Sequence, residues 1–251
     1  MMPIADPRMQ SPDPRATNRS LNEGCVKNQT LAYIALAVAV LVVAPACAGQ
    51  HIIGTASVID GDTIEVHGTR IRLHGIDAPE SAQLCTRSTG EAWRCGQQAA
   101  LALSDKLGRR PIDCDERGQD RYGRTLAVCM LGGEDVNHWL VAQGWAVAYR
   151  RYSADYLAAE DVAHAAGVGI WSGSFDMPWD YRARRWAEAS DKAPNPDCPI
   201  KGNINRDGER IYHTPWGSPS YDRTRINTAK GERWFCDEAE AVAAGWRAPF
   251  H

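Results

Sequence analysis

The sequence predicts a β-barrel with helices, an α+β protein built on a five-stranded OB-fold and followed by a small C-terminal α+β module. Three observations predict it. Three β-rich segments follow one another between residues 51 and 76, a stretch of helical period comes next, and two more β-rich segments and two helices complete the run. Five short strands with a helix inserted after the third is the layout of a small closed barrel that commonly binds oligonucleotides or oligosaccharides.

The elements read in order as follows. His51 to Ile59 and Thr63 to His67 are rich in β-branched residues and are separated by Asp60-Gly61-Asp62, a turn signal. Arg70 to Ile76 alternates as a third strand after a turn at Gly68, and Pro79 ends the sheet run because it cannot donate to a ladder. Cys85 to Gly96 reads as a loop. From Gln97 to Leu107 the helical period returns, with Ala100, Leu101, Leu103 and Leu107 on one broad face. Ile112 to Asp115 and Thr125 to Leu131 are strands around a polar turn, Arg117 to Gly123. Val136 to Gln143 is a short helix, Trp145 to Tyr149 a short extended piece, and Ala154 to Ala166 a helix stopped by Gly167.

Residues 188–197, rich in Pro, Asp and Asn, read as a linker that divides a barrel domain (50–187) from a C-terminal module (198–251). In the module, Ile211 to His213 and Trp234 to Cys236 read as strands. Asp237 with Glu240 forms a capping box for a helix from Glu238 to Ala244.

Residues 1–49 read as an N-terminal extension carrying a signal peptide or anchor. Leu31 to Ala48 is an almost unbroken apolar run, and Ala46-Cys47-Ala48 fits the small-x-small pattern of a cleavage site. Left uncleaved, residues 31–48 would approach the minimum span of about 17–18 residues and anchor the chain to a membrane. Cys47 is an alternative lipidation site, although Pro45 sits awkwardly there. Cleavage is the favoured reading, with the mature chain secreted or periplasmic.

Composition bounds the function less sharply. The chain of 251 residues is 44% apolar, which fills a real core, and its net charge of -3 excludes an affinity for nucleic acid built on bulk charge. A cutting site needs only a few well-placed cations. Six of the eight cysteines follow residue 50 and form no CxxC pair, which points to disulfides and an oxidising compartment.

The chemistry is concentrated in three stretches: Asp60-Gly61-Asp62-Thr63, Arg72-Leu73-His74-Gly75-Ile76-Asp77-Ala78-Pro79-Glu80, and Asp120-Arg121-Tyr122-Gly123-Arg124. Asp62 and Asp77 lie at the ends of neighbouring strands, where their carboxylates can meet as hard oxygen ligands for Ca²⁺ or Mg²⁺. Glu80 can accept a proton or orient a water. Arg72 and Arg124 offer forked cations that match phosphate oxygens. Each residue alone is ordinary turn or surface chemistry; the ordered combination is what in-line attack on a phosphodiester requires.

These motifs, together with Gly169-Ile170-Trp171, resemble the staphylococcal nuclease family from about His51 to about Trp186. The resemblance implies an exported, Ca²⁺-dependent nuclease acting on DNA and/or RNA. It implies metal ligation by Asp62, Asp77 and the backbone carbonyl of Ala78, and catalysis by Arg72, Glu80 and Arg124. Tyr122, with Arg121 beside it, would contact substrate phosphate. There are three departures. Ala78 stands where the founding enzyme has threonine, so a hydroxyl contact is lost. The near-neutral charge argues against tight binding to long DNA. The cysteines are additional, and we expect the pairs Cys114–Cys129 across a hairpin, Cys85–Cys95 across a loop, and Cys198–Cys236.

The C-terminal block resembles a small module called a sunset domain. His213 with Cys198 and Cys236 offers only three zinc ligands, so a disulfide fits better. His74 reads as a packed or solvent-facing strand histidine, Trp139, Trp145 and Trp171 as mostly core, and Arg182, Arg184 and Arg185 as a solvated basic face with phosphate contact as the alternative. Two competing functions remain: a non-catalytic OB-fold protein that binds nucleic acid, and one associated with surface polysaccharide.

Overall fold

The computed structural model describes residues 50–249, so the N-terminal extension, with its signal or anchor segment, lies outside the described residues. The barrel opens with β1 (His51–Val58), β2 (Thr63–Val66) and β3 (Thr69–Leu73). The last two are joined by His67 and Gly68, both at positive φ, the conformation that a two-residue hairpin turn requires. A two-residue strand β4 (Ile76–Asp77) follows, then the short strands β5 (Cys85–Arg87) and β6 (Ala92–Trp93) and helix α1 (Cys95–Leu107). Next come β7 (Pro111–Gln119), β8 (Thr125–Leu131), β9 (Glu134–Asp135), α2 (Val136–Ala142), β10 (Val147–Ala148) and α3 (Leu157–Ala166).

The barrel closes through β1, β2, β3, β8 and β7. All neighbours are antiparallel except β3 and β8, whose parallel pairing of Leu73 with Ala127 completes the ring. Burial along β8 alternates with period two, so Thr125, Ala127, Cys129 and Leu131 face inward. Cys114 and Cys129 are direct partners across β7 and β8 and are bridged there. Ile64, Ile71, Leu73, Leu103, Leu107 and Ile112 fill the centre, each at most 1% exposed, and burying each stabilises the fold by roughly 1.5–3 kcal/mol.

The sequence reading needs correction at several places: the third strand breaks into β3 and β4, and the helix over Pro178–Ser190 and the strand over Ile200–Ile204 were not expected. The inward stripe of α1 is Ala99, Leu103 and Leu107, four residues apart, and Leu101 stands 49% exposed on another face. The segment from Cys85 to Gly96 is not a plain loop: β5 pairs with β6, and the Cys85–Cys95 bridge holds it against the start of α1. Strand β7 runs through the polar residues to Gln119 by way of an irregularity between Glu116 and Gly118, so the turn proper is only Asp120 to Gly123.

After a 3-10 turn and the short β11 (Gly173–Ser174), α4 (Pro178–Ser190) starts on a proline, which costs a helix nothing at its first position. The module follows as β12 (Ile200–Ile204), flanked by β13 (Arg210–His213) and β14 (Arg233–Phe235), and ends in α5 (Glu238–Ala243). Asp237 caps α5 by accepting from Glu240 N, and the Glu240 carboxylate accepts from Cys236 N, so the box reaches back one residue further than expected. Cys198 is bridged to Cys236, and both ring nitrogens of His213 are engaged by Ser218 and Asn203. Trp186 of α4 packs on the module core and against Trp216, joining the barrel to the module. Among the described residues, no helix is long and apolar enough to cross a membrane.

Two predictions come from this packing. A Cβ at Gly96, in the first turn of α1, would stand 1.8 Å from the Glu80 carbonyl oxygen. Gly96→Ala should therefore destabilise the fold by about 1–3 kcal/mol, seen as a lower urea midpoint at unchanged slope. An unchanged midpoint would show that the Glu80 loop is not pinned there. The second concerns two histidines. The Asp113 carboxylate, 2.7 Å from His51 Nδ1, raises the His51 pKa, whereas burial lowers that of His74. Ring-proton NMR should find them titrating on opposite sides of 6.5. The His51 contribution to stability is then complete below that pH and lost as pH rises through its folded pKa. His74 acts in the opposite sense, weakening the fold as pH falls below 6.5.

Candidate active site

The site is assembled where the Asp60–Asp62 turn, the end of β3 and the β4 segment meet. Gly61 makes the approach possible, because a Cβ there would lie 2.7 Å from that of Ala78. Asp62, 4% exposed, accepts from the Ala78 backbone N–H at 3.0 Å and from Arg72 Nη1 at 3.1 Å. Asp77 is fully buried and accepts from Arg72 Nη2 at 2.7 Å, so one guanidinium spans the two carboxylates. The expectation that Asp62 and Asp77 lie at one rim thus agrees with the geometry. Burial opposes charge on Arg72, but Asp62 and Asp77 more than offset this and hold it firmly protonated.

Glu80 follows Pro79 in the loop after β4. Gln83, itself fully buried, holds this loop by accepting from Glu80 N and donating to the Asp176 carbonyl at 2.7 Å, which ties it to the lead-in of α4. Burial pushes the Glu80 carboxyl up to about 7, against the nearby Arg182 charge. Burial likewise raises the Asp62 pKa.

Arg124 comes from the other side of the barrel mouth, at the turn between β7 and β8. Asp120 fixes it. One Asp120 oxygen accepts the backbone N–H groups of Tyr122 and Arg124, and the other accepts Arg124 Nε at 2.7 Å. Arg124 lies 5.4 Å from the Tyr122 ring centroid, and Arg121 donates to the Tyr122 hydroxyl. Arg72 and Arg124 are near enough for their charges to oppose one another. Tyr122 and Arg124 form one wall of a cleft of about 500 Å³ whose other wall is the module, through Tyr212, Glu238 and Trp246.

The sequence reading missed Arg182. It reads there as part of a solvated face; in the structure its side chain is 19% exposed and lies inside the site. Arg182 Nη1 and Nη2 donate to the two oxygens of Asp77 at 3.0 and 2.7 Å, and Nη1 also donates to Glu80 at 2.8 Å. Arg184 does lie outward, pairing with Asp176 and Glu188, whereas Arg185 is packed against the module and pairs with Glu188 and Asp222. Tyr181 beside it is buried, but helical spacing from Tyr181 points to Arg184 and Arg185, so no local signal marked Arg182. Asp120 and Gln83 were also missed as positioning residues, although Asp120 stands in the quoted motif.

Asp62, Asp77 and Glu80 offer the all-oxygen donor chemistry that suits Ca²⁺. As arranged, however, they do not fit the ion. The space between Asp77 and Glu80 is filled by the Arg182 guanidinium, and no group of three acidic or His/Cys side chains converges on a common point among the described residues.

Comparison with known proteins agrees with this geometry. Residues 70–173 match the sequence model of the staphylococcal nuclease homologues, a span that holds Arg72, Asp77, Glu80 and Arg124 and ends before α4. The chain is 41% identical over 160 residues to the succinoglycan biosynthesis protein ExoI of Rhizobium meliloti (strain 1021), covering 62% of this chain and 83% of that one. It is 34% identical over 183 residues to a micrococcal nuclease of Shigella flexneri, covering 64% and 94%. It is 33% identical over 124 residues to the thermonuclease of Staphylococcus hyicus, covering 46% and 72%. On the strength of the barrel, the motif residues it brings together and these likenesses, the chain belongs to the staphylococcal nuclease homologue family.

Proposed function

We propose that this protein is a nuclease that hydrolyses phosphodiester bonds of DNA and/or RNA, exported to an oxidising compartment and dependent on Ca²⁺. One observation carries the reading: two guanidinium groups, Arg72 and Arg124, and a carboxyl group poised near neutral pH, Glu80, surround one mouth of the barrel. Arg124, held by Asp120, and Arg72, held by Asp62 and Asp77, receive the phosphoryl oxygens and stabilise the charge that builds on them during in-line attack. Such preorganised donors lose little on reaction because their directions are already set. Glu80 takes the proton of the attacking water or orients it. Tyr122, braced by Arg121, contacts a flanking phosphate. Bound Ca²⁺ would supply further neutralisation, with Asp62, Asp77 and the Ala78 carbonyl as its holders once the space is free.

The three disulfides support export, since such bridges persist in oxidising compartments. They are equally at home in a mature chain free in that compartment and in one anchored by residues 31–48. The second reading, a non-catalytic protein associated with surface polysaccharide, draws on the likeness to the succinoglycan biosynthesis protein of Rhizobium meliloti. The full set of Arg72, Glu80 and Arg124 favours catalysis.

The test is digestion of single- and double-stranded DNA and RNA, with Ca²⁺ or with a chelator. We expect cutting that the chelator abolishes. Arg124→Ala and Glu80→Gln should each reduce kcat by about 10²–10³-fold, the usual effect of removing one transition-state donor or the general base. Absence of cutting, with binding of a polysaccharide retained, would transfer support to the second reading.

A further inference from the structure

Arg182 belongs to α4, beyond residues 70–173 that match the family's sequence model. Its guanidinium makes three hydrogen bonds to Asp77 and Glu80, of which Asp77 has no exposed surface. A buried carboxylate without a partner is costly, so the contact stabilises the protein as it stands. It also takes both oxygens of Asp77, and supplies the charge, that a cation held by Asp77 would need. An Arg and a divalent cation held by the same oxygens repel each other, and the Asp77 oxygens cannot direct their lone pairs at both without loss.

The position of Arg182 is braced from two directions. Gln83 ties the Glu80 loop to Asp176, two residues before α4. One turn along the helix, Arg185 donates to the Pro215 carbonyl at 3.0 Å and to Asp222 at 3.0 Å, both in the module. The module also comes close to Glu80 itself, since a Cβ at Gly217 would stand 3.7 Å from Glu80 Oε2.

We propose that Arg182 is a built-in competitor of the divalent cation: it occupies the space between Asp77 and Glu80, and the metal enters only as this side chain withdraws. The helix and module that brace Arg182 thereby set the metal concentration at which the site loads. The inference rests on the reading that the site takes Ca²⁺, and it names a regulator of that same site.

The test measures metal binding, so its failure is distinguishable from a failure of the nuclease reading. Calcium is titrated calorimetrically into the full chain and into Arg182→Gln, and thermal melting is followed with and without Ca²⁺. Arg182→Gln should bind Ca²⁺ at least about tenfold more tightly than wild type, since one competing state has been removed. Without metal it should melt lower than wild type, and Ca²⁺ should raise its melting temperature by more than it raises that of wild type. Equal or weaker calcium binding by the folded variant would overturn the proposal. Should Arg182→Gln fail to fold, Arg182→Lys keeps the charge but loses the fork. Tighter binding than wild type supports the proposal there too, and unchanged binding refutes it.

Discussion

Two carboxylates stand almost entirely out of water at the barrel mouth, and the rest of the site is organised around the need to neutralise them. Asp77 has no exposed surface and Asp62 very little. In a low-dielectric setting such groups either give up their charge or gather cations and hydrogen-bond donors. Here they gather Arg72, Arg182 and the Ala78 backbone N–H. Glu80, whose cationic hydrogen-bond partner among the described residues is Arg182, has its carboxyl shifted towards neutral pH by burial. Burial acts on the Asp62 carboxyl in the same direction, so the mouth sets fixed guanidinium charges beside carboxyl groups that burial pushes up.

The barrel explains why these groups meet. Asp62 lies one residue before β2, Arg72 is next to last in β3, and the parallel pairing of β3 with β8 brings the Asp120–Arg124 turn to the same end. The glycines at 61 and 96 let backbones approach where any side chain would intervene. Disulfides secure the two segments least able to stabilise themselves, the short ladder before α1 and the small module. The Cys114–Cys129 bridge does something different: it locks the register of the longest strand pair, on which the position of Arg124 depends.

Most of the barrel was legible because its strands alternate and its turns carry glycine and aspartate at positions needing positive φ or local capping. The pairing of all six described cysteines also followed from their places in the chain. The geometry among Asp62, Arg72 and Asp77 follows the motif, since those residues sit at strand ends that the hairpin register fixes. What escaped was set by tertiary packing. Leu101 looked like core because it is leucine, yet its position on α1 turns it to solvent. Arg182 looked like surface because it is arginine among arginines, yet its guanidinium enters the site, while Arg184 turns to solvent and Arg185 to the module. No local pattern separates these arginines; only the docking of α4 against the Glu80 loop does.

That docking changes how the C-terminal module is understood. A module tethered by a free linker acts through effective concentration alone, whereas this one grips the helix that enters the site. Asp222 and the Pro215 carbonyl restrain Arg185, and α4 carries that restraint one turn back to Arg182. Glu238 adds a second contact of the same kind, its negative charge acting on both Arg124 and Tyr122 across the cleft. The module therefore places an acid near Arg124, while α4 places a cation against the carboxylates. Each group complements the charge that substrate or metal would otherwise meet. A mouth furnished with its own counter-charges needs no ligand to neutralise its buried carboxylates.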